Sequence, residues 1–141
     1  MRTITKQSLD VLARTMSVIP MSKLMGIIAG GSYTQYFSTQ SQLNNFLSAQ
    51  GANSEWKETA FVIFADGTFA AYFDDDNTRA YCSLPLTPST AGNYYFEGKQ
   101  ITGWGHTHDD ISGPGPSDDD QPNKVPGLSH YIWYGGSFSY Y

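Results

Sequence analysis

The sequence predicts an α/β domain with a mixed β-sheet of five or six strands and flanking helices. Three observations carry that prediction. Thr59 to Ala65 and Thr68 to Phe73 are β-rich runs joined by Asp66-Gly67, a pair suited to the two-residue turn of a hairpin. Between residues 40 and 50, Leu43, Phe46 and Leu47 recur at i, i+3 and i+4, the stripe of an amphipathic helix. Near the C-terminus, His130 to Tyr134 and Ser137 to Tyr141 flank Gly135-Gly136, a second hairpin signal.

Taken in order, the chain divides at residue 31. Residues 1–31 hold Arg2, Lys6, Arg14 and Lys23 against one acid, Asp10, and end at Gly30-Gly31. Leu9, Leu12, Ala13 and Met16 predict an amphipathic helix over about 6–17 that Pro20 stops. The apolar run beyond Pro20 is broken by Ser22, Lys23 and Gly26, and it is too short to insert stably in a membrane. The segment resembles a double-glycine leader, with Met25 and Ile28 at the apolar positions before the cut. That resemblance implies an export transporter recognising residues 1–31 and a secreted product that starts at Ser32. An ordinary N-terminal helix and Gly-Gly turn would leave the protein cytoplasmic, and the residues fit both readings.

Residues 32–141 form the predicted domain. Thr39-Gln40-Ser41-Gln42 caps the helix and Gly51 ends it. Arg79 to Leu84 reads as a short strand holding Cys82 as buried filler. Residues 84–98 read mainly as loop, with Tyr94-Tyr95-Phe96 a short strand, and Gln100 to His106 as a longer strand. Residues 109–127, rich in Asp, Gly and Pro, read as a loop with at most one helical turn.

Composition narrows the function. With 141 residues, 40% of them hydrophobic and 15% aromatic, the chain supports one folded domain. A net charge of −5 without a basic stripe speaks against nucleic acid as a partner. One cysteine excludes an internal disulfide and a Cys-rich zinc site, and it cannot supply the Cys-x-x-Cys of a zinc deaminase. No Gly-x-Ser-x-Gly elbow is present for a serine hydrolase.

His106 and His108 remain as the chemical signal. On a strand, a spacing of two puts both imidazoles on one face, where they suit a divalent metal. Downstream, Pro116-Ser117 before Asp118-Asp119-Asp120 reads as a helix start, with Ser117 as N-cap and Asp120 at the third position. His, His and Asp are three ligands, which leaves a fourth tetrahedral position free, as in catalytic zinc sites. Glu58, at the lip of an apolar strand, is the candidate proton acceptor, with Glu55 as its rival. Asp109 and Asp110 are candidates to orient an imidazole or to form a solvated loop, and Asp74-Asp75-Asp76 reads as a solvated turn. His130 lies on the last hairpin, away from the motif, and Trp104 reads as core or groove aromatic.

Glu58, His106-Thr107-His108 and Ser117-Asp118-Asp119-Asp120 together resemble the motif of the JAMM (JAB1/MPN/Mov34) zinc metalloproteases, in the style of small bacterial JAB domains. The resemblance covers about residues 55–141. It implies a JAB1/MPN-like, cytidine-deaminase-like architecture and hydrolysis of a peptide or isopeptide bond in a protein substrate by zinc-activated water. Zn2+ would sit on His106, His108 and Asp120, Glu58 would be the general acid/base, and Ser117 would help hold the oxyanion. Eight residues separate His108 from Ser117 where the motif has about seven, so Asp118 and Asp119 compete with Asp120. The same fold with a weak or empty site would be a binding module, and an exported toxin would use the same centre.

Overall fold

The structure, a computed structural model, describes residues 31–51, 57–78 and 81–141. The helix predicted over 6–17, the leader reading, Glu55 and the Arg79-Ala80 pair fall outside those residues. Among the described residues no helix is long and apolar enough to cross a membrane.

Among the described residues, eight strands and one α-helix follow in the order β1 (Ser32–Phe37), α1 (Gln40–Gly51), β2 (Ala60–Phe64), β3 (Phe69–Asp74), β4 (Thr87–Pro88), β5 (Tyr94–Phe96), β6 (Lys99–Thr107), β7 (Ser129–Tyr134) and β8 (Ser137–Tyr140). The count exceeds the expected five or six because β1 and β4 carry little alternation by which to find them. The expected strand at Arg79 to Leu84 is corrected. Tyr81 makes only an isolated bridge to Thr78, and the Ser83 amide bonds to the Asn77 side chain instead of a ladder partner.

Helix α1 starts where its side chains satisfy the first amides. Thr39 Oγ1 accepts the Gln42 N–H, and Gln42 Oε1 reaches back to accept the Ser38 and Thr39 amides, a reciprocal capping box. Leu43, Phe46 and Leu47 then face the sheet and are buried with Phe61, Ala71, Phe73 and Trp133. Burial of each such side chain contributes about 1.5–3 kcal/mol.

The sheet runs β1-β3-β2-β6. Beyond β6 its first half pairs with β5, and its second half pairs with β7, which leads on to β8. The β6–β7 pair is parallel, and a parallel pair cannot be joined by a tight turn. Residues 108–128 therefore cross the face of the sheet that α1 does not cover. That second face holds Val62, Phe64, Ala70, Tyr72, Phe96 and Ile101, roofed by Leu84, Leu86 and Leu128 from the loops.

Glycine at position 105 is a packing requirement. A Cβ there would run into the Tyr131 carbonyl oxygen of β7 and lie 2.5 Å from Cζ of Phe61. Gly105→Ala is therefore expected to destabilise the fold by about 1–3 kcal/mol, the usual range for overpacking. Gly115→Ala, where nothing lies within 4 Å, should leave urea unfolding unchanged. Equal midpoints for the two variants would contradict this account of β6.

Candidate metal centre

Register between β2 and β6 builds the centre. Ala60 pairs with His106, and the two strands run antiparallel. Side chains alternate, so Glu58, Ala60, His106 and His108 share the face opposite α1. Thr107, between the histidines, points the other way and is buried. Its Oγ1 accepts the Thr59 N–H at 2.9 Å, and its own N–H donates to the Thr59 carbonyl at 3.1 Å. The middle residue of the His-x-His thus fastens the strand that delivers Glu58.

His106 Nε2 and His108 Nε2 lie 3.0 Å apart, both side chains buried. Asp120 Oδ1 is 3.1 Å from His106 Nε2, and Asp120 Oδ2 is 3.4 Å from His108 Nε2. Four ligands at zinc bond lengths of about 2.0–2.1 Å define a tetrahedron with edges of about 3.3 Å. The donor set and its spacing therefore fit a zinc-sized ion. His108 Nδ1 donates to the Gly113 carbonyl at 3.0 Å, which leaves Nε2 with its lone pair toward Asp120. Neither Asp109 nor Asp110 provides that bond. Asp109 Oδ1 accepts the Ile111 and Ser112 amides, and Asp110 Oδ1 accepts the Tyr134 hydroxyl.

Of the three consecutive aspartates, the structure brings Asp120 against the histidines. Asp118 is exposed, and Asp119 lines the cleft without touching them. The expected helix start at Ser117 is corrected. A single 3-10 turn, Gln121–Asn123, begins after Asp120, which itself occupies the cap position. Pro122 has no N–H to donate, so an α-helix cannot run from Ser117 through it. Ser117 instead gives both its N–H (2.6 Å) and its hydroxyl (2.9 Å) to Asp120 Oδ2. In this arrangement Ser117 orients Asp120, and its hydroxyl is engaged there.

The two carboxylates are pushed in opposite directions. Burial raises the Asp120 carboxyl, but the His106 ring and the Ser117 amide outweigh it and hold Asp120 well below the usual range. Glu58 lies within 4.8 Å of both imidazole nitrogens, and burial raises its carboxyl to about 7 against the opposing pull of His106. The same three residues, Glu58, His106 and His108, are close enough to share an ion themselves. Asp120 touches both imidazoles and its carboxyl is drawn down, whereas that of Glu58 is lifted by burial. Burial also lowers His108, with His106 adding to the effect.

A cleft of about 690 Å³ opens over the centre, walled by Tyr81, Leu84, Trp104, Pro122 and Tyr141. The sequence does not assign Cys82 and Tyr141, both in its wall, or Asn77, bonded to Glu58, to the site. Cys82 sits in the wall with its thiol donating to Glu58, and burial, with Glu58 beside it, pushes that thiol well up, so it stays protonated. Tyr141 packs on His130 and its phenol is raised to about 12, by burial first and by Asp120 in addition. Asn77, fully buried, bonds the Glu58 carbonyl. No spacing rule would have found them, since each meets the site through loop packing. His130 does not reach the centre, because its Nε2 accepts the Val125 N–H at 2.8 Å.

Comparison with known proteins adds no relative: no family model, curated protein or solved structure matches the chain.

His130 gives a pH prediction. Burial, and Lys124 in addition, push it below its ordinary 6.5, so the folded chain holds fewer protons there than the unfolded chain. The stabilisation is complete above about pH 6.5 and is lost as the pH falls below it. The stability gap between the native chain and His130→Phe should narrow from pH 7 to pH 5. Thermal unfolding across that range tests this, and a constant gap would refute it.

Proposed function

We propose that this chain is a zinc-dependent metallopeptidase of JAMM type that hydrolyses a peptide or isopeptide bond. The observation that carries the reading is the meeting of His106 Nε2, His108 Nε2 and the Asp120 carboxylate at 3.0–3.4 Å, with Glu58 alongside. His106, His108 and Asp120 would hold the ion. Bound there, zinc supplies a Lewis acid that polarises the scissile carbonyl and acidifies water. Glu58 takes the water proton on its carboxylate and passes it to the leaving nitrogen. Burial, which lifts the Glu58 carboxyl, favours its carrying a proton between the two transfers.

Other residues keep this chemistry in order. Ser117 holds Asp120 ionised and aimed, and it would support an oxyanion only after turning away from that carboxylate. Cys82 keeps a neutral donor on Glu58. The aromatic wall of Trp104, Tyr81 and Tyr141 gives a substrate chain an apolar surface beside the base. The JAB1/MPN-like architecture belongs to the same proposal, supported by a mixed sheet that delivers the motif residues to one cleft.

Metal analysis tests the centre directly. The purified chain should carry about one zinc, lost in His106→Ala and in Asp120→Ala but kept in Glu58→Gln. A native chain that binds no zinc sinks the proposal. On a peptide library, Glu58→Gln should slow cleavage by about 10²–10⁴-fold with zinc retained, the scale of a lost general base. Full activity in that variant would remove Glu58 from its role.

The leader reading is proposed alongside. β1 begins at Ser32, so a cut after Gly31 keeps every β1 residue and gives up only the bond in which the Gly31 carbonyl accepts the Asp75 N–H at 3.0 Å. Protein recovered from culture medium should begin at Ser32, and an intact Met1 there would refute the cut.

A further inference from the structure

We propose that Asn77 is the positioning residue that fixes Glu58 against the histidine pair. The inference rests on the metallopeptidase reading above. Asn77 is 1% exposed and spends both ends of its amide on main chain. Its Nδ2 donates to the Glu58 carbonyl at 2.9 Å, and its Oδ1 accepts the Ser83 N–H at 3.2 Å. Its own N–H is tied to the Asp74 carbonyl at 2.9 Å, which closes the turn after β3. The next carbonyl, that of Thr78, accepts the Glu58 N–H at 2.8 Å.

Both main-chain groups of Glu58 are therefore held by residues 77 and 78. That matters because Glu58 precedes β2, which begins at Ala60, and has no strand ladder to fix it. The second arm of Asn77 reaches the wall of the cleft. Ser83 follows Cys82, whose thiol contacts the Glu58 carboxylate. One side chain thus locks the backbone of the proton acceptor and the loop that touches its carboxylate. A buried amide is costly unless its polar atoms are bonded, and here both ends are. A catalytic side chain needs placement to within about 0.5 Å, which such a two-ended clamp provides.

Cobalt binding tests the assignment without a substrate. Co2+ alone is added to the full chain, and the pH at which its visible absorption band shifts is measured for the native chain, Glu58→Gln, Asn77→Ala and the double variant. If Asn77 acts through Glu58, Asn77→Ala moves that pH in the same direction as Glu58→Gln and at least half as far. It then adds nothing in the Glu58→Gln background, while thermal stability falls equally in both backgrounds. A folded Asn77→Ala chain with one bound Co2+ and an unchanged pH profile overturns the proposal. So does an additive shift in the double variant. If Asn77→Ala does not fold, Asn77→Ser, which keeps a polar atom, is judged by the same criteria. A native chain that binds no Co2+ or zinc overturns the metallopeptidase reading and this inference with it, an outcome distinct from either of the others.

Discussion

Ala60 and His106 face each other across an antiparallel pair, and alternation from that register turns Glu58 and His108 toward the same face. Shifting the pairing by one residue would turn the imidazoles into the α1 face and the apolar residues out. Two contacts hold the register. Thr107 bonds Thr59 through both its hydroxyl and its amide, and Gly105 lets Phe61 and β7 close on β6 where a side chain would not fit. The geometry of the histidine pair is thus specified by residues outside it.

The parallel β6–β7 pair supplies the second constraint. Its long crossover passes over the face opposite α1 and brings Asp120 down onto the histidines from above. Side chains from one strand and one crossover thus approach one point from different directions, the arrangement the proposed tetrahedral ion would need. Two carboxyl groups in one cleft are then pushed in opposite directions by their surroundings. Asp120 is drawn down by a histidine ring and the Ser117 donors, and Glu58 is lifted by burial.

Much of the fold was legible because local rules and tertiary packing agree there. Asp66-Gly67 forms the β2–β3 hairpin, Thr39 and Gln42 form the capping box, and Leu43, Phe46 and Leu47 face the core. The sequence reading erred where side chains took over backbone bonding. Arg79 to Leu84 has β propensity, yet Asn77 claims the Ser83 amide. Ser117 looks like a helix cap, yet Pro122 prevents the helix and frees Ser117 to bind Asp120.

By itself the sequence determined that His106 and His108 share a strand face, because a period of two is a property of any extended chain. It also placed Glu58 at a strand lip and confined the third carboxylate to three neighbours. Only the tertiary structure shows that Asp120, rather than Asp118 or Asp119, lies against the histidines, since a loop rich in glycine and proline has no period from which direction can be read. The fold likewise decided that Cys82 and Tyr141 line the cleft and that Asn77 bonds the Glu58 carbonyl. They are far from the motif along the chain, and only the crossing of loops over the sheet brings them to it.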